Sequence, residues 1–235
     1  MKLAIMQPYF LPYIGYYQLI AAVDTFIVYD NIKYTKKGWI NRNRFLLNGV
    51  DAHFTLPLKK DSDSLDVVER ELTAEFDRSK LLNQFKGAYA RAPYFTKTFP
   101  LLEDIVRCEE RNLFSYIHHS IVEMCAHLGI NTEIRSSSEI AIDQRLKSQD
   151  KVLALCRALG AKTYINPIGG MELYAKREFS EHGIELEFIK AKPFEYFQFG
   201  APFVPWLSIV DVLMFNPLEA IRDRIGTQYE LVLGL

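Results

Sequence analysis

The sequence predicts an α/β protein built on a Rossmann-like parallel sheet. Three observations predict it: a strand–helix–strand run opens the chain, helices and strands alternate again toward its end, and a hairpin-bearing stretch of different character lies between. They imply a single α/β domain over residues 1–235, with a β-hairpin and helical insertion at about 31–130.

Lys2 to Met6 is a short apolar run that reads as a buried strand, broken by Pro8 and Pro12. From Ile14 to Val23 the apolar positions Ile14, Tyr17, Ile20 and Ala21 recur at helical spacing. Thr25 to Tyr29 is β-branched and aromatic, hence a second buried strand. Strand, short helix and strand make a βαβ unit, which requires parallel pairing and a right-handed crossover. Phe45–Leu47 and Ala52–Leu56 flank Asn48-Gly49, the strong hairpin-turn signal.

Helical patterns follow at Ser79 to Ala90 and at Asn112 to Leu128, where Gly129 is the stop. Thr132 to Arg135 reads as a strand. Ser148 reads as the N-cap of a helix running to Leu159, with Gly160 after it. Thr163 to Asn166 is a strand ending in Pro167-Ile168-Gly169-Gly170. Lys176 to His182 is a short helix stopped by Gly183, and Ile184 to Ile189 is a strand. Leu207 to Phe215 and Leu218 to Ile225 close the pattern as helices.

Bulk composition narrows the function classes. Of 235 residues, 49% are hydrophobic and 24% charged, which is globular and not disordered usage. The net charge of −1 carries no basic excess of the kind a nucleic-acid binder shows. Apolar runs stop short of the roughly 18 residues a membrane span needs. The opening segment lacks a full apolar signal region, so the expected compartment is the cytoplasm. Cys108, Cys125 and Cys156 are widely spaced in apolar helical patterns and read as buried free thiols.

In an open parallel sheet, ligands bind beyond the carboxyl ends of the strands. Three loops there are polar, aromatic or glycine-rich: Gln7 to Tyr16, Asp30 to Lys33, and Asn166 to Gly170. In the first, Gln7, Tyr9, Tyr13, Gly15 and Tyr16 are binding candidates, because aromatics crowd a polar turn and a glycine at a helix start permits close approach. The alternative for Gly15 is helix–sheet packing. Arg42 and Arg44 lie two apart, on one side of an extended segment, and two guanidiniums suit a diphosphate. Lys33, Trp39, Asn41 and Asn43 belong to the same patch, which has no acid from Asn31 to Val50. The alternative is arginines paired with acids, for which residues 61–77 offer seven carboxylates against one base. Asn166, Gly169 and Gly170 form either a phosphate-cradling turn or a plain one. Ser208 and Asp211 stand at a helix start, where capping and a salt bridge are the simple reading. Ser115, His119, Glu123 and His127 form a helical stripe without metal-motif spacing, so no metal site is expected.

The run Gln7-Pro-Tyr-Phe-Leu-Pro-Tyr-Ile-Gly-Tyr-Tyr-Gln-Leu-Ile20 resembles the opening signature of the WbqC-like family. The resemblance continues through Asp24–Asp30, Trp39, Asn41–Arg44, Leu153–Tyr164, Gly169-Gly170, Gly183–Phe188 and Pro205–Asp211. It implies a link to bacterial O-antigen clusters and an aminoacyl transferase, glycine being the suggested group, acting on the amine of a nucleotide-linked amino sugar. A small acyl donor is then the second partner, Asp30 or Asp211 the general base, and Ser208 part of the binding site. A homodimer is left open. A more distant likeness is to the HIGH-motif nucleotide-binding fold, carried by the strand, the polar loop, Tyr13-Ile14-Gly15-Tyr16 and the following helix and strand. Tyr13 and Tyr16 stand where that group's histidines would be, and its lysine–serine loop is not evident. An ATP-using ligase that activates a small acid is therefore an alternative, as is a non-catalytic nucleotide-sugar binder, and the cofactor is unassigned.

Overall fold

The computed structural model describes residues 1–200 and 202–234. Its centre is a six-stranded sheet in the order β5-β2-β1-β6-β7-β8. The strands are β1 (Lys2–Met6), β2 (Thr25–Val28), β5 (Glu133–Ser136), β6 (Thr163–Pro167), β7 (Glu185–Ala191) and β8 (Tyr229–Leu233). All neighbouring pairs are parallel except β7 with β8. Among the parallel strands the chain steps outward from β1 to β2 and β5, then returns to the other side of β1 at β6. The order reverses there, so the topological switch point lies between the carboxyl ends of β1 and β6.

Alternation along the strands sorts side chains onto two faces. Leu3 and Ile5 of β1 join Ile27, Tyr164 and Phe188 beneath α5 (Ser148–Ala158) and α6 (Lys176–Glu181). Ala4 joins Phe26, Val28 and Ile165 on the opposite face, under α1 (Ile14–Ala21), α4 (Leu113–Leu128) and α8 (Leu218–Thr227). Gln18 of α1 is buried, and its amide donates to the carbonyls of Arg224 and Gln228 at 3.1 and 3.0 Å, closing the end of α8.

Between β2 and β5 the chain forms the hairpin of β3 (Arg42–Leu47) and β4 (Val50–Thr55), then α2 (Arg78–Tyr89), α3 (Phe95–Arg107) and α4. Asn48 and Gly49 both adopt positive φ, 52° and 81°, as a tight twisted hairpin turn requires. Phe45 and Phe54 of the hairpin pack on Phe85 and Tyr89 of α2 and on Phe10, so the hairpin and helices share one apolar core with the α1 face of the sheet. Two acids of the 61–77 stretch pair with lysines: Lys36 reaches Asp63 at 2.8 Å and Lys59 reaches Glu71 at 3.1 Å.

Four details depart from the sequence expectation. α3 was not expected; it carries Pro100 inside it and forms because Thr98, Leu102, Ile105 and Val106 bury one face. β8 exists only through antiparallel pairing with the edge of β7. Ser148 is not an N-cap: it is the first residue of α5, with φ of 49°, and Lys147 precedes the helix without a side-chain cap. The last pair of helices is shifted slightly, to α7 (Ile209–Phe215) and α8.

Candidate functional site

The loop after β1 is held rigidly. Leu11 sits at φ of 45°, a strained value for a residue with a side chain, and is fully buried. Its carbonyl accepts from Asn43 Nδ2 at 3.0 Å and from Ser208 Oγ at 2.6 Å. Phe10 N–H donates to the Ile40 carbonyl and Ile209 N–H to the Pro12 carbonyl. Asn43 and Ser208 therefore clamp the loop, and Ser208 also caps α7 through Val210 N–H at 3.2 Å. Asn41 is likewise committed inside, accepting from Tyr34 Oη and donating to the Leu56 carbonyl.

The clamp presents an aromatic shelf. Tyr9, Pro12, Tyr13, Trp39, Asn43, Arg44 and Trp206 line a cleft of about 200 Å³. Tyr13 and Trp206 also wall an adjoining apolar cleft of about 470 Å³, with Phe194, Tyr196 and Phe203 across from them. Trp206 is 59% exposed and held at φ of 60°, and its indole meets Tyr13 edge-on at 6.0 Å. The Gly15 position is tied to Tyr13: a Cβ there would stand 2.3 Å from the Tyr13 ring. Tyr16 is buried, and its hydroxyl donates to the Gln7 carbonyl at 2.9 Å. Burial raises the pKa of Tyr9 and Tyr13, so both hydroxyls stay protonated hydrogen-bonding groups.

Arg42 and Arg44 flank the Trp39 indole at 5.6 and 5.8 Å, and His53 stacks on that ring. Arg42 is spent on the carbonyls of Lys37 and Gly38. Arg44 bridges Asp51 at 3.2 Å and the Trp206 carbonyl at 3.0 Å, so it both lines the shelf and fixes the Trp206 backbone.

A third cleft, about 570 Å³, opens beyond the carboxyl ends of β1 and β2. Gln7, Tyr29, Asn31, Lys33, Tyr174 and Lys151 lie on its wall. Gln7 thus faces this cleft while Tyr9, two residues on, faces the shelf. On the β6 side, buried Asn166 accepts from Tyr164 Oη at 3.2 Å, and its amide fills the space a side chain at Gly170 would need. Gly169 is exposed, with nothing near its Cβ position.

The two candidate bases occupy other surroundings. Asp30 is buried and accepts from Ser137 Oγ at 2.6 Å and Ser138 N–H at 3.0 Å. Asp211 is fully buried and accepts from Tyr89 Oη, Tyr196 Oη and Gln198 Nε2 at 2.8, 2.6 and 2.7 Å. Desolvation raises its pKa, opposed by those three hydrogen bonds. Neither carboxylate lines the three clefts. Cys125 and Cys156 are buried thiols whose pKa burial pushes up to about 12, and Cys108 is half-buried. His119 faces Glu123 at 3.9 Å on the surface of α4; among the described residues no group of three metal-ligating side chains gathers.

The sequence model of the WbqC-like protein family matches residues 7–223, from the Gln7 loop through α7 and into α8. The chain belongs to the WbqC-like protein family. An uncharacterized protein of Mycobacterium tuberculosis is 28% identical to this WbqC-like chain over 218 residues, 92% of this chain and 93% of that one. No solved structure matches. The matched span contains every wall of the three clefts.

Two parts of the site were missed from sequence. One is the wall made by Pro193, Phe194, Tyr196, Phe203 and Pro205, whose density of aromatics and prolines is a visible signal. The other is Lys151, a lysine on the apolar stripe of α5 one turn before Leu155.

Proposed function

We propose that this WbqC-like protein is a transferase of surface-polysaccharide assembly, passing an aminoacyl group such as glycyl to the amine of a nucleotide-linked amino sugar. One observation carries the reading: the strained, clamped loop after β1 sets an aromatic shelf and a cation-bearing cleft side by side, beyond the carboxyl ends of the strands and next to the topological switch point. Tyr13, Trp39 and Trp206 offer flat apolar faces with polar tips, which suits sugar and base rings. In the reaction the sugar amine attacks the acyl carbonyl carbon, a C–N bond forms, the donor's leaving group departs, and the amine gives up a proton. Asp211 supports this chemistry from within the scaffold, since donors occupy both of its oxygens, and Asp30 has its Oδ1 taken up by Ser137 and Ser138 and stands outside the cleft linings.

The ATP-using alternative has less support, because Tyr16 is turned inward to the Gln7 carbonyl and does not face a cleft. Mass spectrometry of the purified protein with a nucleotide-linked amino sugar, glycine and ATP, with and without an activated glycyl donor, tests the proposal. A sugar nucleotide heavier by one glycyl residue is the expected result. AMP and pyrophosphate without amide would favour the ligase, and tight binding without turnover would favour a binding protein.

A further inference from the structure

The cleft beside Gln7 holds a buried cation that the aromatic shelf does not use. Lys151, in the first turn of α5, is only 5% exposed. Its ammonium donates to Asn31 Oδ1 at 2.8 Å and to the Gln144 carbonyl at 3.4 Å, and it lies 5.6 Å from the centre of the Tyr29 ring. These partners are neutral, and among the described residues no carboxylate comes within 4 Å of it; Asp30 and Asp66 favour its charge from farther off without an ion pair. A buried charge without a contact ion pair is costly, and a bound anion would supply that contact.

The surroundings are built to hold the ammonium in place. Asn31 Nδ2 donates to Gln144 Oε1 at 2.7 Å, and Asn31 Oδ1 lies 2.8 Å from Ser137 Oγ, whose one proton it shares with Asp30 Oδ1. The amide is therefore fixed from both ends. Around the cleft stand Lys33, Arg145, Lys147 and Lys151 against the carboxylate of Asp66 in its lining and that of Asp143 on Arg145, an excess of positive charge. Arg145 is forked onto Asp143, whereas Lys33 and Lys147 make no ion pair among the described residues. The cleft's volume is in the range of small-molecule sites.

We propose that this cleft binds the diphosphate of the substrate, with Lys151 as its buried anchoring cation and Lys33 and Lys147 at its mouth. The inference rests on the phosphorylated substrate of the reading above and names where its anion sits. It moves the diphosphate from Arg42 and Arg44, whose guanidiniums are occupied by carbonyls and Asp51, to the other side of the Gln7–Tyr9 turn.

Calorimetric titration of the full chain with inorganic pyrophosphate tests it. The wild type should bind saturably, and Lys151→Met should bind about tenfold more weakly or worse. The double variant Lys33→Glu/Lys147→Glu changes only exposed side chains and should lose binding too, so the test stands even if Lys151→Met fails to fold. No saturable binding by the wild type, or wild-type affinity in the folded variants, would overturn the proposal. Titration with a UDP-linked sugar separates the sources: tighter binding than pyrophosphate marks a diphosphate ester, and equal binding a free diphosphate. Pyrophosphate binding that depends on Lys151, without glycyl transfer, would leave the cleft standing and remove the transferase. Transfer undiminished in Lys151→Met would do the reverse.

Discussion

Replacing Asp211 by alanine distinguishes a brace from a catalytic base. The side chain is fully buried and is the acceptor for Tyr89 of α2 and for Tyr196 and Gln198 of the segment before α7. Tyr89 Oη in turn accepts from Leu46 N–H at 2.9 Å, so one carboxylate joins the hairpin, α2, α7 and the wall of the aromatic cleft. Hydrogen bonds to a charged group contribute about 1.5–3 kcal/mol each, giving an upper bound of about 9 kcal/mol for three. Two effects offset this. Burial raises the Asp211 pKa, so part of that gain is already consumed in desolvating the charge. Tyr196 borders an open cleft, where its hydroxyl can turn to water. Asp211→Ala should therefore lose about 3–5 kcal/mol, a fall in Tm of roughly 6–20 °C for a chain of this size. Asp211→Asn keeps the shape and one acceptor, and should lose about 1–2 kcal/mol.

The pH dependence has a definite sign. The folded chain holds the Asp211 proton more tightly than the unfolded chain does. Stability from this group is therefore full below the ordinary carboxylate pKa and falls as pH rises through the raised one. Asp211→Asn lacks that slope, so the wild type's advantage over it should widen toward acid pH. Urea titrations at neutral and acid pH, read beside the transfer assay, give both quantities. Loss of activity with an unfolding free energy within about 1 kcal/mol of wild type would refute the brace and make Asp211 a catalytic group.

Gly15→Ala should leave stability within about 1 kcal/mol, because a better helix former offsets the shift it forces on the Tyr13 ring; nucleotide-sugar affinity should fall, and unchanged affinity would detach Tyr13 from the site. Trp206→Gly relieves a positive φ at the cost of chain entropy, so urea unfolding should change by less than about 1 kcal/mol while affinity drops. A large stability loss there would show that the indole is a packing residue. In native protein a thiol reagent should titrate Cys108 ahead of Cys125 and Cys156, whose burial and pKa near 12 protect them until unfolding; three equally fast thiols would contradict the packing of α4 and α5.

Local signals carried the alternating elements well. Asn48-Gly49 specified its turn because two positive φ values exclude most other residues, and Gly129, Gly160 and Gly183 end their helices for the same reason. α3 was obscured by Pro100, which breaks a local pattern that burial of the other face restores. β8 depends on an edge supplied by β7, distant in the chain, in a register that runs from Glu187 opposite Leu233 to Ala191 opposite Tyr229. Within the site, Tyr9, Tyr13, Trp39 and Arg44 were legible as a group because aromatics and a cation on polar turns are unusual. Asn43 and Ser208 were legible as important residues, but their contact with the Leu11 carbonyl spans 32 and 197 positions and has no local trace.

By itself, then, the sequence determined the Gln7–Ile20 signature, the βαβ opening, the hairpin turn and family membership, all properties of short-range pattern. Only the tertiary structure decided what each polar residue does. Side-chain chemistry is local, but desolvation and partner choice are set by segments distant in sequence. That is why Asp30 and Asp211 lie buried among their donors, why Arg42 is tied to its own loop, and why Lys151 lies buried beside a cleft with neutral hydrogen-bond partners.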